Sequence, residues 1–119
     1  MNIPIKTNKD RFHKEVLDII RALPPLNLFT DRELELLSEI MKQYQEYSDI
    51  DKDQRKHLIF SKENRIKIQN KLKISKGNMN TYLVKMRKYN LLTKDNDLVK
   101  ILDIPFEDLG INIKFILNV

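Results

Sequence analysis

Between Arg55 and Lys88 eleven lysines and arginines (Arg55, Lys56, Lys62, Arg65, Lys67, Lys71, Lys73, Lys76, Lys85, Arg87 and Lys88) stand against one acid, Glu63, a local net charge of +10. The whole chain carries +5, so the remainder is acidic by five charges and the positive charge is concentrated on one segment. Such a concentration suits a surface that meets polyphosphate, where each ammonium or guanidinium replaces a condensed counterion. Catalysis and metal binding have no comparable support. Cysteine is absent, His13 and His57 are the only histidines and there are two glycines, so a zinc site, a glycine-rich phosphate loop, a Ser-His-Asp arrangement or a carboxylate pair finds no motif. The chain reads as a non-enzyme without cofactor or metal, and its two histidines as structural.

At 119 residues the chain is long enough for one domain with a real core. Without cysteines or a long apolar run it is expected in the cytoplasm of a bacterial or infected host cell, with no membrane partner.

The elements that must position the basic segment follow from apolar spacing. Phe12, Val16, Ile19, Ile20 and Leu23 share one face of a helix from about Lys9 to Leu23, ended by Pro24 and Pro25. Thr30-Asp31-Arg32-Glu33 is a capping box that opens a helix reaching to about Tyr47, with Leu34, Leu37, Met41 and Tyr44 as its stripe and Leu36 and Ile40 beside it. Residues 48–53 read as a polar loop, and His57-Leu58-Ile59-Phe60 as a short strand. Ser61 and Ser75 each suit the cap of a further helix, running to about Lys73 and Asn90, with Ile74 and Ser75 as the turn between them. In the last helix Met79, Tyr82, Leu83 and Met86 are the inward positions. Leu91-Leu92-Thr93 and Leu98 to Leu102, around Lys94-Asp95-Asn96-Asp97, read as a β-hairpin, and Ile111 to Val119 as a terminal strand with one apolar face.

This order over Thr30 to Leu102 resembles the winged helix-turn-helix superfamily. Leu72, Ile74-Ser75, Met79, Leu83, Met86 and Leu91-Leu92 fall at the spacing of that pattern. The resemblance implies a mainly α fold with a small β-hairpin wing, an α+β class, in which 30–102 form the winged domain, 1–29 an N-terminal strand and helix extension, and 103–119 a C-terminal strand extension. It implies a sequence-specific double-stranded DNA-binding protein, a transcriptional regulator of the small kind encoded by bacteria, phages and plasmids, with the helix from Ser75 in the major groove. Two departures stand out. Lys73 occupies a position where many such units have glycine, which calls for a wider turn or a strained Lys73, and Gly77 lies inside the reading helix, where it costs roughly 1 kcal/mol relative to alanine.

With Met79, Leu83 and Met86 inward, the helical period turns Gly77, Thr81, Val84 and Lys88 outward, flanked by Asn78, Asn80 and Lys85. Asn78, Asn80, Thr81, Val84 and Lys85 are therefore the base-reading candidates, since asparagine matches adenine, lysine matches guanine, and valine or a threonine methyl matches the thymine methyl. Lys62, Arg65, Lys67, Ser75, Lys76, Gly77, Lys88 and Lys94 are the phosphate candidates, with Asp95 and Asp97 opposing deep contact near Lys94. The strand Ile111 to Val119 needs a neighbour, either the extended start Asn2 to Thr7 of the same chain or the equivalent strand of a second copy, and the second, a homodimer built from the two flanking extensions, is the one expected. Two other settings use the same features: a replication or packaging accessory factor of a phage or plasmid, and a winged-helix module binding a protein partner such as RNA polymerase.

Overall fold

The computed structural model describes residues 11–99 and Leu102, and five α-helices carry that part of the chain: α1 (Phe12–Ile20), α2 (Asp31–Glu46), α3 (Lys52–Ile59), α4 (Lys62–Leu72) and α5 (Lys76–Lys88). A 3-10 turn, Leu26–Leu28, leads into α2. The Thr30 side chain accepts from the Glu33 N–H while Glu33 Oε1 accepts from the Thr30 N–H at 2.8 Å, so the capping box is closed from both sides. Leu34, Leu36, Leu37, Ile40, Met41 and Tyr44 are all buried. A surface helix would bury one stripe; α2 buries more than that because it packs against each of the other four helices.

The expected strand at His57 to Phe60 is instead the end of α3. Asp51 caps that helix by accepting from the Asp53 N–H at 3.2 Å, and the Arg55 N–H donates to the Asp51 carbonyl at 2.8 Å. Of the apolar pair in its last turn, Ile59 is fully buried while Leu58 is 45% exposed. Residues 52–59 thus form a helix that packs on α2 and α4 with Ile59 as its one buried apolar side chain, a tertiary override of local β preference. The loop expected over 48–53 is correspondingly shorter.

The expected wing is also corrected, and with it the α+β class: the described residues are all-α, and no strand occurs among them. Leu92 and Leu98 form a single antiparallel bridge. Beyond it the Leu102 N–H turns back to the Val99 carbonyl at 3.0 Å, so the ladder does not propagate. Leu91, Leu92, Leu98 and Leu102 are all buried and belong to the same core as the helices. These runs were β-like in composition because they pack under helices, and burial of apolar side chains does not by itself require a sheet.

Lys9 and Asp10 of the expected first helix, the extended start Met1 to Thr7, the loop Pro105 to Gly110 and the strand Ile111 to Val119 lie outside the described residues, and with that strand so does one of the two elements from which the dimer is expected.

Candidate nucleic-acid interface

Two serines set the ends of the basic segment's helices. Ser61 Oγ accepts from the Asn64 N–H at 3.3 Å to open α4, and Ser75 Oγ accepts from the Asn78 N–H at 3.0 Å to open α5. Between them Lys73 adopts the left-handed conformation, φ 56° and ψ 47°, and the Ile74 N–H reaches back to the Gln69 carbonyl at 3.0 Å. Of the two outcomes open for a lysine at this point, the strained residue is the one found. The turn is held from outside as well. Arg32 of α2 donates through Nη2 to the Leu72 carbonyl and, at 3.0 Å, to the Lys73 carbonyl, satisfying groups that the end of α4 leaves unpaired. Nothing near Arg32 in sequence signals this, since the contact spans about forty residues.

The inner face of α5 is Met79, Leu83 and Met86, each at most 1% exposed, with Tyr82 half-buried. Full burial of such side chains contributes about 1.5–3 kcal/mol each, enough to fix which face looks outward. That outer face carries Lys76, Gly77, Asn78, Asn80, Thr81, Val84 and Lys88, all exposed. Val84 is 56% exposed near its middle. The Thr81 hydroxyl donates to the Gly77 carbonyl at 3.0 Å. A Cβ added to Gly77 would meet only Ser75 Oγ, at 4.0 Å, so no contact within the protein calls for glycine there.

Lys85, the remaining base-reading candidate, turns away from this face. Its Nζ lies 2.8 Å from Glu33 Oε1 and 2.7 Å from the Leu28 carbonyl, and 4.6 Å from the centroid of the Phe29 ring. Burial would raise the Glu33 carboxyl, but the bonds from Lys85 and from Thr30 outweigh it and the net shift is downward.

The eleven cations of the segment divide by partner. Lys56 pairs with Asp97 at 3.8 Å, Lys71 with Glu39 at 3.0 Å and Lys85 with Glu33, while Arg55 donates to the Tyr44 carbonyl and Arg87 to Asn96 Oδ1. Lys62, Arg65, Lys67, Lys73, Lys76 and Lys88 have no carboxylate partner among the described residues. All six belong to α4, the turn after it, or α5. Three of them, Lys62, Arg65 and Lys76, border a groove of about 400 Å³ between the first turns of α4 and α5, with Phe60, Ile66 and Gln69 as its other walls. Arg65 lies over the Phe60 ring, 6.0 Å from its centroid, and its Nε is buried without a hydrogen bond. Lys76 borders the groove and also begins the outer face of α5, so the two are continuous.

Residues 94–97 form a turn fixed by three helices. Tyr44 donates to the Asn96 carbonyl at 2.9 Å, Arg87 donates to Asn96 Oδ1, and Lys56 holds Asp97. Desolvation pushes the Tyr44 phenol up to about 12, which keeps it a donor. Asp97 is thus drawn inward, leaving Asp95 next to the exposed Lys94, which has no carboxylate partner among the described residues. His13 is buried edge-on to Phe12 and His57 is exposed.

No helix among the described residues is long and apolar enough to cross a membrane, and none of their histidine, aspartate and glutamate side chains gather in a group able to hold a metal ion. No protein-family model, curated protein or solved structure matches this chain.

Proposed function

We propose that this chain binds double-stranded DNA without catalysing a reaction, laying the outer face of α5 in the major groove while the α4–α5 groove holds backbone phosphates. The observation that carries the reading is the division of the cations: of the eleven in the segment, the six with neither an ion pair nor a side-chain hydrogen bond among the described residues are confined to α4, its turn and α5. Unpaired cations on a surface keep their full worth for a polyanion, because no internal ion pair has to be broken to use them. Lys62, Arg65 and Lys76 act as phosphate ligands, Arg65 with guanidinium donors to spare, and Lys67, Lys73 and Lys88 extend the path. The Asn64 amide, which donates to Gln43 Oε1 at 2.6 Å and to the Ile59 carbonyl, keeps the first turn of α4 in place on α2.

Fluorescence polarisation of a labelled random-sequence duplex at low salt tests the reading. The expected result is saturable binding that Arg65→Ala and Lys76→Ala weaken to a similar degree for every duplex tried. Absence of binding, or a Lys62→Ala/Arg65→Ala/Lys76→Ala variant that binds as tightly as the parent, contradicts it.

A further inference from the structure

We infer that the sequence read by α5 is an A·T run, and that the thymine methyl groups and adenine Hoogsteen edges are what it recognises. The inference rests on the DNA-binding reading above and adds the chemistry of the target. In the major groove guanine is read by arginine or lysine on O6 and N7, adenine by asparagine or glutamine on N6 and N7, and thymine by an apolar contact to its methyl group. The middle of the outer face of α5 offers the last two kinds of group only.

Asn78 and Asn80 are exposed in the first turns of the helix, each with a free amide. Thr81 commits its hydroxyl hydrogen to the Gly77 carbonyl, which leaves it a methyl group and an acceptor oxygen, able to meet a thymine methyl or an adenine N6 amine, to bring to a base edge. Val84, 56% exposed, has no packing role in the protein that would explain an apolar residue there. A lone exposed valine is ordinary on a protein surface; one flanked by a threonine methyl and two asparagines is a matched set for A·T pairs.

The cations that would read guanine have been taken away. Lys85 is clamped by Glu33, the Leu28 carbonyl and the Phe29 ring, and Arg87 is held by Asn96. Lys76 and Lys88 remain, but as the first and last residues of α5 they flank the reading positions instead of lying among them. A reading helix brings about three or four side chains to base edges, and this face offers Asn78, Asn80, Thr81 and Val84.

Enrichment of bound duplexes from a random-sequence pool, using the full chain, provides the target, and thymine-to-uracil and adenine-to-7-deazaadenine replacement in the enriched site tests its chemistry. We expect an A·T core. Uracil should weaken binding about fourfold per contacted thymine, the worth of one buried methyl group, and this loss should vanish in Val84→Ala at the thymine that Val84 touches. Removing adenine N7 should weaken binding on the order of tenfold, one half of a bidentate contact. Enrichment of a G·C core, or an A·T core indifferent to both replacements, overturns the inference. Salt-dependent binding with no sequence preference also overturns it while leaving DNA binding intact, and absence of duplex binding at low salt overturns both.

Discussion

Lys85 of α5 and Glu33 of α2 form one ion pair, 2.8 Å between Nζ and Oε1, in which the carboxylate that closes the α2 capping box also anchors the outward-facing helix. One oxygen therefore fixes where α2 starts and how α5 is rotated. The pair sits beside the Phe29 ring and the Leu28 carbonyl, so the 3-10 turn is tied into the same junction.

Lys85→Met removes the cation and leaves a buried carboxylate with the Thr30 bonds alone. The expected cost is about 1.5–3 kcal/mol, the range for a hydrogen bond to a charged group, measured as a fall in urea midpoint at constant slope. The DNA sequence enriched by this variant should be unchanged. A changed sequence would return Lys85 to the base-reading set.

The same junction gives stability a definite pH dependence. Because the Glu33 carboxyl is held below its usual value of 4.5, its contribution is present above that pH and is lost as the pH falls through the lowered folded value. Asp31, lowered by its bond to Arg21, moves in the same direction. Denaturant unfolding between pH 6 and 3 should show stability falling below about pH 4.5, and Glu33→Gln should flatten part of that fall. A slope identical in the parent and Glu33→Gln would show that the clamp carries no charge-dependent energy.

Lys73 and Gly77 stand in each other's favoured conformations. Lys73→Gly relieves a left-handed residue and should stabilise the protein by about 1 kcal/mol, while Gly77→Ala places a better helix former in open space and should stabilise by up to about 1 kcal/mol. On DNA both should bind less well, the first by losing a phosphate cation, the second by setting a methyl group on the face that approaches the groove. Thermal unfolding and duplex titration of the two variants separate the effects; a Gly77→Ala protein that gains stability at unchanged affinity would remove Gly77 from the interface.

Base and backbone contacts should separate under mutation. Asn80→Ala should lower affinity for the preferred site by about 1–3 kcal/mol and relax the preference at one position. Arg65→Ala should weaken preferred and random duplexes alike. Reversal of the two patterns would contradict the assignment of α5 to bases and of the α4–α5 groove to phosphates.

The signals in the sequence that proved legible are local ones. Thr30 with Glu33, Ser61 and Ser75 mark three helix starts within a few residues of their partners, and the spacing of Met79, Leu83 and Met86 fixes the inner face of α5. What misled was composition without contacts: His57 to Phe60 have strand-like residues, yet they end a helix capped by Asp51 that buries Ile59, and Leu91, Leu92, Leu98 and Leu102 make one bridge while burying their side chains in the helical core. Two features of the candidate site were invisible for the same reason. The inward turn of Lys85 depends on Glu33, 52 residues earlier, and the support of the turn depends on Arg32, 41 residues before Lys73. Counting charge along the chain located the basic segment but not its division into bound and unbound cations, which is set by where Glu33, Glu39 and Asp97 come to lie.

If the unpaired cations of α4 and α5 neutralise phosphates, the salt dependence of duplex affinity reads their number directly. Engagement of about five phosphates predicts a slope of log K against log salt of roughly −4 to −5, reduced by about one unit in Arg65→Ala. A slope near zero, or a slope unchanged when Lys62, Arg65 and Lys76 are all replaced by alanine, would contradict the account.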